Sequence, residues 1–393
     1  MNELYSQTRK DLIDCDSGLL NFYRANQISP VKQNIANLDV HYSRRRFLYQ
    51  YLGVTPNCFH DREIIEFGPG SGHNALYNTS LHPKRYILVD GNEVGLSECK
   101  QNFKQYFPHT QIHEFVHSRI EEFETTDRFD MVLCEGVIAH QAKPNLFLQH
   151  VASFVKKGGV VVISTSDYVS VLAEVLRRLI SVQYVDLKAP LEKQWPILRK
   201  IFSPHLDSLR GMSRLYDDWI ADNIVYQWEY NLFSIEDAIL SLDDSYSILG
   251  SSPKFLTDWR WYKEVYGNEA NINENTIHQY RQNLVNFIDY RVAHLLMSES
   301  DAQAIEKICK EIYSFMVTST KEGSTRLYDQ VARCCASLHA LIAGISPITG
   351  ESLLEVSAFF SQPPVDHTQV NDALPTFKTW FGRGQQYLSF VKL

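Results

Sequence analysis

The stretch EFGPGSGHNALY (66–77) sets glycines at 68, 70 and 72, directly after the apolar run EIIEF (63–67) and before residues with helical spacing. Pro69 fixes its own backbone angle, so this is a shaped turn and not a floppy loop. Glycine removes the Cβ and lets backbone N–H groups come close to another object. A strand that ends in such a turn and passes into a helix is the opening unit of an open α/β sheet. In these sheets ligands bind just beyond the carboxyl ends of the strands.

The ligand is constrained by what the turn lacks. A dinucleotide fingerprint, G-x-G-x-x-G, needs a further glycine where this chain has His73, and a phosphate loop needs a lysine that does not follow. The turn therefore approaches a group without phosphate. Glu66 ends the first strand, and Asp90 ends the next, RYILVD (85–90), followed by Gly91 and Asn92. An acidic side chain at that strand end accepts hydrogen bonds from a ribose hydroxyl pair. An unphosphorylated adenosine with a positively charged neighbour satisfies both features.

Strand and helix signals alternate from here. TQIHEFV (110–116) and FDMVLCEG (129–136) read as the third and fourth strands. KPNLFLQHVASFVKKGG (143–159) reads as a helix stopped by Gly158 and Gly159, and VVVISTSD (160–167) as a fifth strand. The pattern predicts a Rossmann-like, doubly wound, mostly parallel α/β sheet. Beyond residue 167 come two long helical stretches, then one further helix and strand (234–253), then almost continuous helical spacing. The expected organisation is an N-terminal helical cap (1–45), a core (46–255) with a helical insertion at about 168–232, and a C-terminal helical domain (256–393).

Taken in order, IIEFGPGSG, YILVDGN, HSRIEEF, FDMVLCEGVIAH and FVKKGGVVVIST resemble the successive motifs of class I S-adenosylmethionine-dependent methyltransferases, over 64–166. The resemblance implies S-adenosyl-L-methionine as cofactor. It implies that Gly68, Gly70 and Gly72 line the methionine moiety, with Glu66 holding its amino group. It further implies that Asp90 binds the ribose hydroxyls, with Gly91 and Asn92 beside the adenosine. Ser118, Arg119 and Ile120 stand where the family meets the adenine; Ser118 replaces the family's frequent acidic residue, and Ile120 packs on the ring. Cys134, Glu135 and Gly136 line the cofactor at the fourth strand's end, with a small core residue as the alternative for Cys134. The family often places a helix before the first strand. There Tyr42 and Arg46 of HYSRRRFLY are candidates for the methionine carboxylate, against a solvated basic face.

Methyl transfer needs an aligned acceptor with a free lone pair, and a hydroxyl acceptor gains from a base. His140, in the loop after the fourth strand, is the first base candidate, with a surface histidine as the alternative. Glu135 is the second, or else a substrate-holding group. His73 orients the cofactor or simply packs the helix start. In SRLYDDWIADN (213–223), Tyr216, Asp218, Trp219 and Asp222 are candidates for a polar acceptor pocket, against an exposed acidic helix face.

The net charge of −8, with Arg44–Arg46 the one small basic cluster, disfavours nucleic acid as partner. Seven cysteines without a CxxC pair predict free thiols, and no clustered ligand pattern predicts a metal. No apolar run is long enough for a membrane span and the N-terminus lacks a secretory pattern, so a cytoplasmic protein is expected. The expected function is methylation of a hydroxyl or amine on a small or medium polar molecule, such as a sugar or natural product. The helical additions enclose a pocket or form a homodimer contact. RNA or protein methylation, or a non-catalytic cofactor-binding scaffold, are the alternatives.

Overall fold

A computed structural model describes residues 18–29, 31–294 and 296–393, without the side chains of 268 and 269. Cys15 and the first 17 residues of the expected cap lie outside the described residues. Two compact units are present. The first comprises the chain up to Ser166, Tyr230–Tyr280 and Gln385–Leu393; the second comprises Asp167–Glu229 and Arg281–Gly384.

The first unit is built on a seven-stranded sheet. Its strands are β1 (Glu63–Phe67), β2 (Arg85–Asp90), β3 (His113–His117), β4 (Phe129–Cys134), β5 (Val155–Thr165), β6 (Tyr246–Ser252) and β7 (Gln386–Lys392). Their order is β3-β2-β1-β4-β5-β7-β6. The first five are mutually parallel, and β7 runs antiparallel to both β5 and β6. The order reverses direction at β1, whose two neighbours β2 and β4 leave a crevice at their carboxyl ends. Helices α1 (Gly18–Asn26), α2 (Leu38–Tyr51), α3 (His73–Thr79), α4 (Glu93–Tyr106) and α5 (Pro144–Ala152) belong to this unit. Ile64, Leu76, Tyr86, Leu88, Met131 and Val162 form one continuous core with Tyr49 and Leu52 of the α2 region.

Three expectations change. The helix read over 143–159 stops at Ala152, and β5 begins at Val155. Val155 already pairs with Phe129, so Lys156–Gly159 bulge out before pairing resumes at Met131 and Val160. Gly158, at φ +77°, belongs to that bulge rather than to a helix end. The C-terminal region is not helical to its end, because β7 slots between β5 and β6 with Leu388 and Phe390 fully buried. Helix α2 runs through position 45 unbroken, its start fixed by the Asn37 side chain accepting from the Val40 N–H.

The second unit is helical. It unites the inserted helices Leu172–Val182 and Leu191–Ser208 with the later helices Glu299–Glu322, Tyr328–Ile342 and Pro347–Phe360. The division therefore joins the insertion to most of the C-terminal region. The physical reason lies in Leu172–Val182, which is buried on nearly every face and needs partners all round, apolar for its leucines and valines and hydrogen-bonding for Arg177 and Arg178. Among the described residues, no helix of either unit is long and apolar enough to cross a membrane.

Candidate active site

Gly68, Gly70 and Gly72 all adopt left-handed backbone angles, φ +73°, +54° and +76°. A Cβ on each would also strike a neighbour: Val137 at 2.5 Å, Val31 at 2.3 Å and Cys99 at 2.4 Å. These glycines are required by φ and by the protein's own packing, not only by a close-approaching ligand. Asp90 ties the turn together. Its Oδ2 accepts from the Gly70 N–H (2.9 Å) and its Oδ1 from the Asn92 N–H (2.7 Å). Burial raises the Asp90 carboxyl, and those two N–H groups oppose the rise. Each carboxylate oxygen retains a second lone pair for another donor.

Asn92 caps α4, its side chain accepting from the Val94 N–H (3.2 Å) and its amide donating to the Ile28 carbonyl (2.9 Å). Ile28 begins a strap that crosses the turn. Val31 lies on Gly70, and the Gln33 N–H donates to His73 Nδ1 (2.8 Å). His73 opens α3, and its carbonyl accepts from His41 Nε2 (2.9 Å). Burial, then the nearby His41, lowers the His73 imidazole to about 4, so it stays neutral and keeps its lone pair for Gln33. Gly91 is covered by the N-terminal helix: Arg24 donates to its carbonyl through Nε (3.2 Å) and Nη2 (2.7 Å), and Leu20 sits against it. The Arg119 backbone is close to Gly91 too. The Arg119 side chain pairs with Glu121 (3.2 Å), while Ser118 donates to the Arg119 carbonyl (2.8 Å). Buried Ile120 reaches toward Gly68. The tips of β1, β2 and β3 thus bring together most residues expected around the nucleoside.

At the β1 and β4 tips the charges are buried and coupled. Glu66 accepts from the Tyr86 hydroxyl and from Asn78 (3.3 Å). Burial, then the charge of Glu135, raises the Glu66 carboxyl to about 7. Glu135 receives a bidentate grip from Arg45: Nη1 to Oε2 at 2.9 Å and Nη2 to Oε1 at 2.7 Å. Arg45 also donates to the Tyr49 hydroxyl (2.7 Å) and lies 4.8 Å from that ring's centre. Burial is the largest single influence on the Arg45 guanidinium and lowers it, but Glu135, Tyr49 and Tyr387 together outweigh burial and hold it well above its ordinary value.

The buried arginine of α2 is Arg45, next in the chain to the expected candidate Arg46. Arg46 is exposed and bonds to Tyr77; Tyr42 donates to the Leu76 carbonyl (3.4 Å) and packs on Tyr77. Neither faces Glu135. The signal was present in the helical phase, since His41, Arg45 and Tyr49 recur every four residues and are the buried residues of α2.

Gly136, at φ +77°, donates its N–H to Ser164 Oγ (2.7 Å), and Gln385 Nε2 lies 3.5 Å from where its Cβ would be. Tyr387 donates to Gln385 Oε1 (3.2 Å). Gln385 and Tyr387 come from the C-terminal strand region and were absent from the expected set. Cys134 is fully buried, and burial pushes its thiol well up, the behaviour of a core residue. His140 closes a short turn of helix, Ile138–His140, half-buried, four residues beyond Gly136 in the chain.

The four acceptor candidates belong to the second unit and make local bonds there. Tyr216 donates to Asp207 (2.5 Å), Asp222 pairs with Arg214 (2.6 Å) and Trp219 is buried against Phe381. The Asp218 carbonyl accepts from Arg214 (3.1 Å).

Residues 40–212 match the family model described as a methyltransferase domain. A tRNA U34 carboxymethyltransferase of Alteromonas mediterranea is 29% identical over 113 residues, 28% of this chain and 34% of that protein. The matched stretch thus spans about a third of that curated relative. Among solved structures, matches include magnesium protoporphyrin IX methyltransferase from Synechocystis with bound SAM: 16% identity, 32% of this chain, 59% of that one, TM-score 0.28. Another is the N-methyltransferase NodS from Bradyrhizobium japonicum, with 14% identity, 37% and 74% coverage and TM-score 0.30. PKMT2 from Rickettsia typhi matches with 15% identity, 60% and 49% coverage and TM-score 0.42.

Proposed function

We propose, on the premise that this chain carries a class I S-adenosylmethionine-dependent methyltransferase domain, that it transfers the cofactor's methyl group to an oxygen or nitrogen of a polar acceptor. The observation that carries the reading is the β1 turn, whose three glycines are left-handed and whose Gly70 is fastened to Asp90, with Glu66 and the Arg45–Glu135 pair at the β1 and β4 tips. Two orphaned buried atoms support the fit. Among the described residues, Ser71 Oγ in the turn and Arg45 Nε have no hydrogen-bond partner. A carboxylate and an ammonium on one ligand match Arg45 and Glu66 respectively.

When bound, the cofactor supplies an electrophilic methyl carbon on a sulfonium. Asp90 would then grip the ribose hydroxyls through its free lone pairs, while Gly91, Arg119 and Ile120 flank the base. Glu66, whose carboxyl burial and Glu135 raise to about 7, would ionise fully against the ammonium. The chain's own part would be to hold the acceptor in line with that methyl carbon, its lone pair free. The acceptor's proton passes to His140 or Glu135. Glu135 is engaged by Arg45, and His140, half-buried just beyond the β4 tip, is the base this reading puts first.

The first acceptor class is a sugar or natural-product hydroxyl. A second, a nucleic acid, is supported by the likeness to the tRNA U34 carboxymethyltransferase. Calorimetry with S-adenosylhomocysteine tests the cofactor reading. Wild-type protein binds and Asp90→Ala weakens binding at least tenfold; equal affinities overturn the ribose assignment. Tritium transfer from labelled cofactor tests catalysis: His140→Ala lowers turnover while leaving that affinity intact, and unchanged turnover removes His140.

A further inference from the structure

Between β6 and the helix Ile272–Gln282 the first unit exposes the sequence KFLTDWRWYKEVYG (254–267). Trp259, Trp261, Tyr262 and Tyr266 are 94%, 58%, 74% and 76% exposed. Phe255, in contrast, is buried and packs on Tyr280 at 6.3 Å, which anchors the start of the segment. Single exposed apolar side chains are ordinary, but four large exposed rings within eight residues are not, and they point to a partner that stacks on them.

The charges within the patch choose its partner. Lys263 Nζ lies 5.2 Å from the Trp261 ring centre and 5.9 Å from that of Tyr262. Arg260 is held by Asp258 (2.6 Å) between the two tryptophans, and Lys254 sits 6.0 Å from the Tyr51 ring. Charged groups therefore alternate with rings and break any continuous apolar face. Inserting that alternation into a bilayer would carry charges into it at a high cost. The same alternation complements a chain of planar rings joined by anions, with bases stacked on Trp and Tyr and phosphates met by the neighbouring cations.

We propose that residues 254–266 are a docking surface for single-stranded nucleic acid, read by stacking and not by sequence. This deepens, and rests on, the nucleic-acid acceptor class of the proposed function. With three cations, two carboxylates (Asp258, which pairs with Arg260, and Glu264) and a chain charge of −8, few phosphates are neutralised, so stacking carries most of the binding and the salt dependence is shallow.

The test is fluorescence anisotropy of the full chain with a fluorescein-labelled single-stranded RNA of about twelve nucleotides. Binding saturates, and log affinity falls against log salt with a slope between about −1.4 and −2.1, two to three phosphates at about 0.7 each. Trp259→Ala and Trp261→Ala each weaken binding by roughly fivefold or more. Lys263→Ala makes the slope shallower by about 0.7. Absence of saturable binding overturns the proposal. So does affinity unchanged in the Trp259→Ala/Trp261→Ala double variant, or preferential co-sedimentation with phosphatidylcholine–phosphatidylserine vesicles that the same variant abolishes. Calorimetry with S-adenosylhomocysteine, run in parallel, separates the two readings. RNA binding lost in the double variant with cofactor binding retained supports the surface; wild-type RNA binding without cofactor binding supports it and overturns the cofactor reading instead.

Discussion

Arginine is buried in both units, and the two units manage its charge differently. In the sheet unit Arg45 faces a carboxylate, Glu135, in a bidentate pair, and its guanidinium is held well above the ordinary value. In the helical unit Arg177 and Arg178 are fully buried and bond chiefly to neutral groups. Arg177 donates to the Trp380 carbonyl (2.6 Å) and to His205 Nδ1 (3.1 Å), with the Phe381 ring 3.9 Å away. Arg178 donates to the Tyr226 and Asp222 carbonyls, under the Trp228 ring at 4.3 Å. Burial lowers these two to about 10 and about 9. Backbone carbonyls and ring faces cannot leave, so that arrangement locks helices. A carboxylate partner can be exchanged for a ligand's carboxylate, so the other arrangement suits a site.

The sharpest way to break this comparison is Arg45→Met. Removing one partner of a buried pair strands the other charge, and about 3–5 kcal/mol of stability is lost at neutral pH. Chemical denaturation measures it. Arg45→Met/Glu135→Leu recovers much of the loss, because both charges leave together. If the single and double variants are equally destabilised, Glu135 does not depend on Arg45.

Glu66 offers the next largest effect. Its folded-state value of about 7 lies above its ordinary 4.5. For a raised value, the stabilising contribution is complete below the ordinary value and lost as pH rises through the folded one. Glu66→Gln lacks that loss. Relative to wild type, the variant therefore gains about 3 kcal/mol between pH about 4.5 and about 7, then levels off. His73 has the opposite sign: lowered to about 4, it costs stability as pH falls from 6.5. Comparing Glu66→Gln with wild type at each pH cancels the histidine contribution.

The helical unit should respond less. Arg178→Met leaves two carbonyls without a donor but also removes a charge that burial disfavours, and no carboxylate is stranded. The expected loss is about 1–2 kcal/mol in denaturant midpoint experiments. A loss as large as that of Arg45→Met would erase the distinction between the two arrangements.

What the sequence disclosed follows the same divide between local and distant causes. The β1 turn, β2 and Asp90 were legible because glycine geometry and strand period are written within a few residues. β7 was not, because its place between β5 and β6 depends on partners more than a hundred residues away. Gln385 and Tyr387 were missed with it. The strap over Gly70 was also hidden, since its holding bonds use main-chain groups of Ile28 and Gln33, which carry no residue signature. The Glu135 environment was half visible: the residue stood out, while its partner Arg45 required the phase of α2.

That phase supplies the smallest effect and a strict control. Arg45 and Arg46 are adjacent, chemically identical and on one helix, yet about 100° apart around its axis. Arg45 points to Glu135, whereas Arg46 is exposed with Tyr77 as its partner. Arg46→Ala should change stability by no more than about 0.5 kcal/mol. Affinity for S-adenosylhomocysteine should stay as in wild type, whereas Arg45→Lys, which keeps the charge but loses the fork, should reduce it severalfold. Calorimetry on these two variants asks whether the Arg45 face or the Arg46 face of α2 contributes to binding, as the proposed carboxylate contact requires. Loss of affinity in Arg46→Ala with none in Arg45→Lys would rotate the helix assignment by one residue and separate Arg45–Glu135 from the ligand.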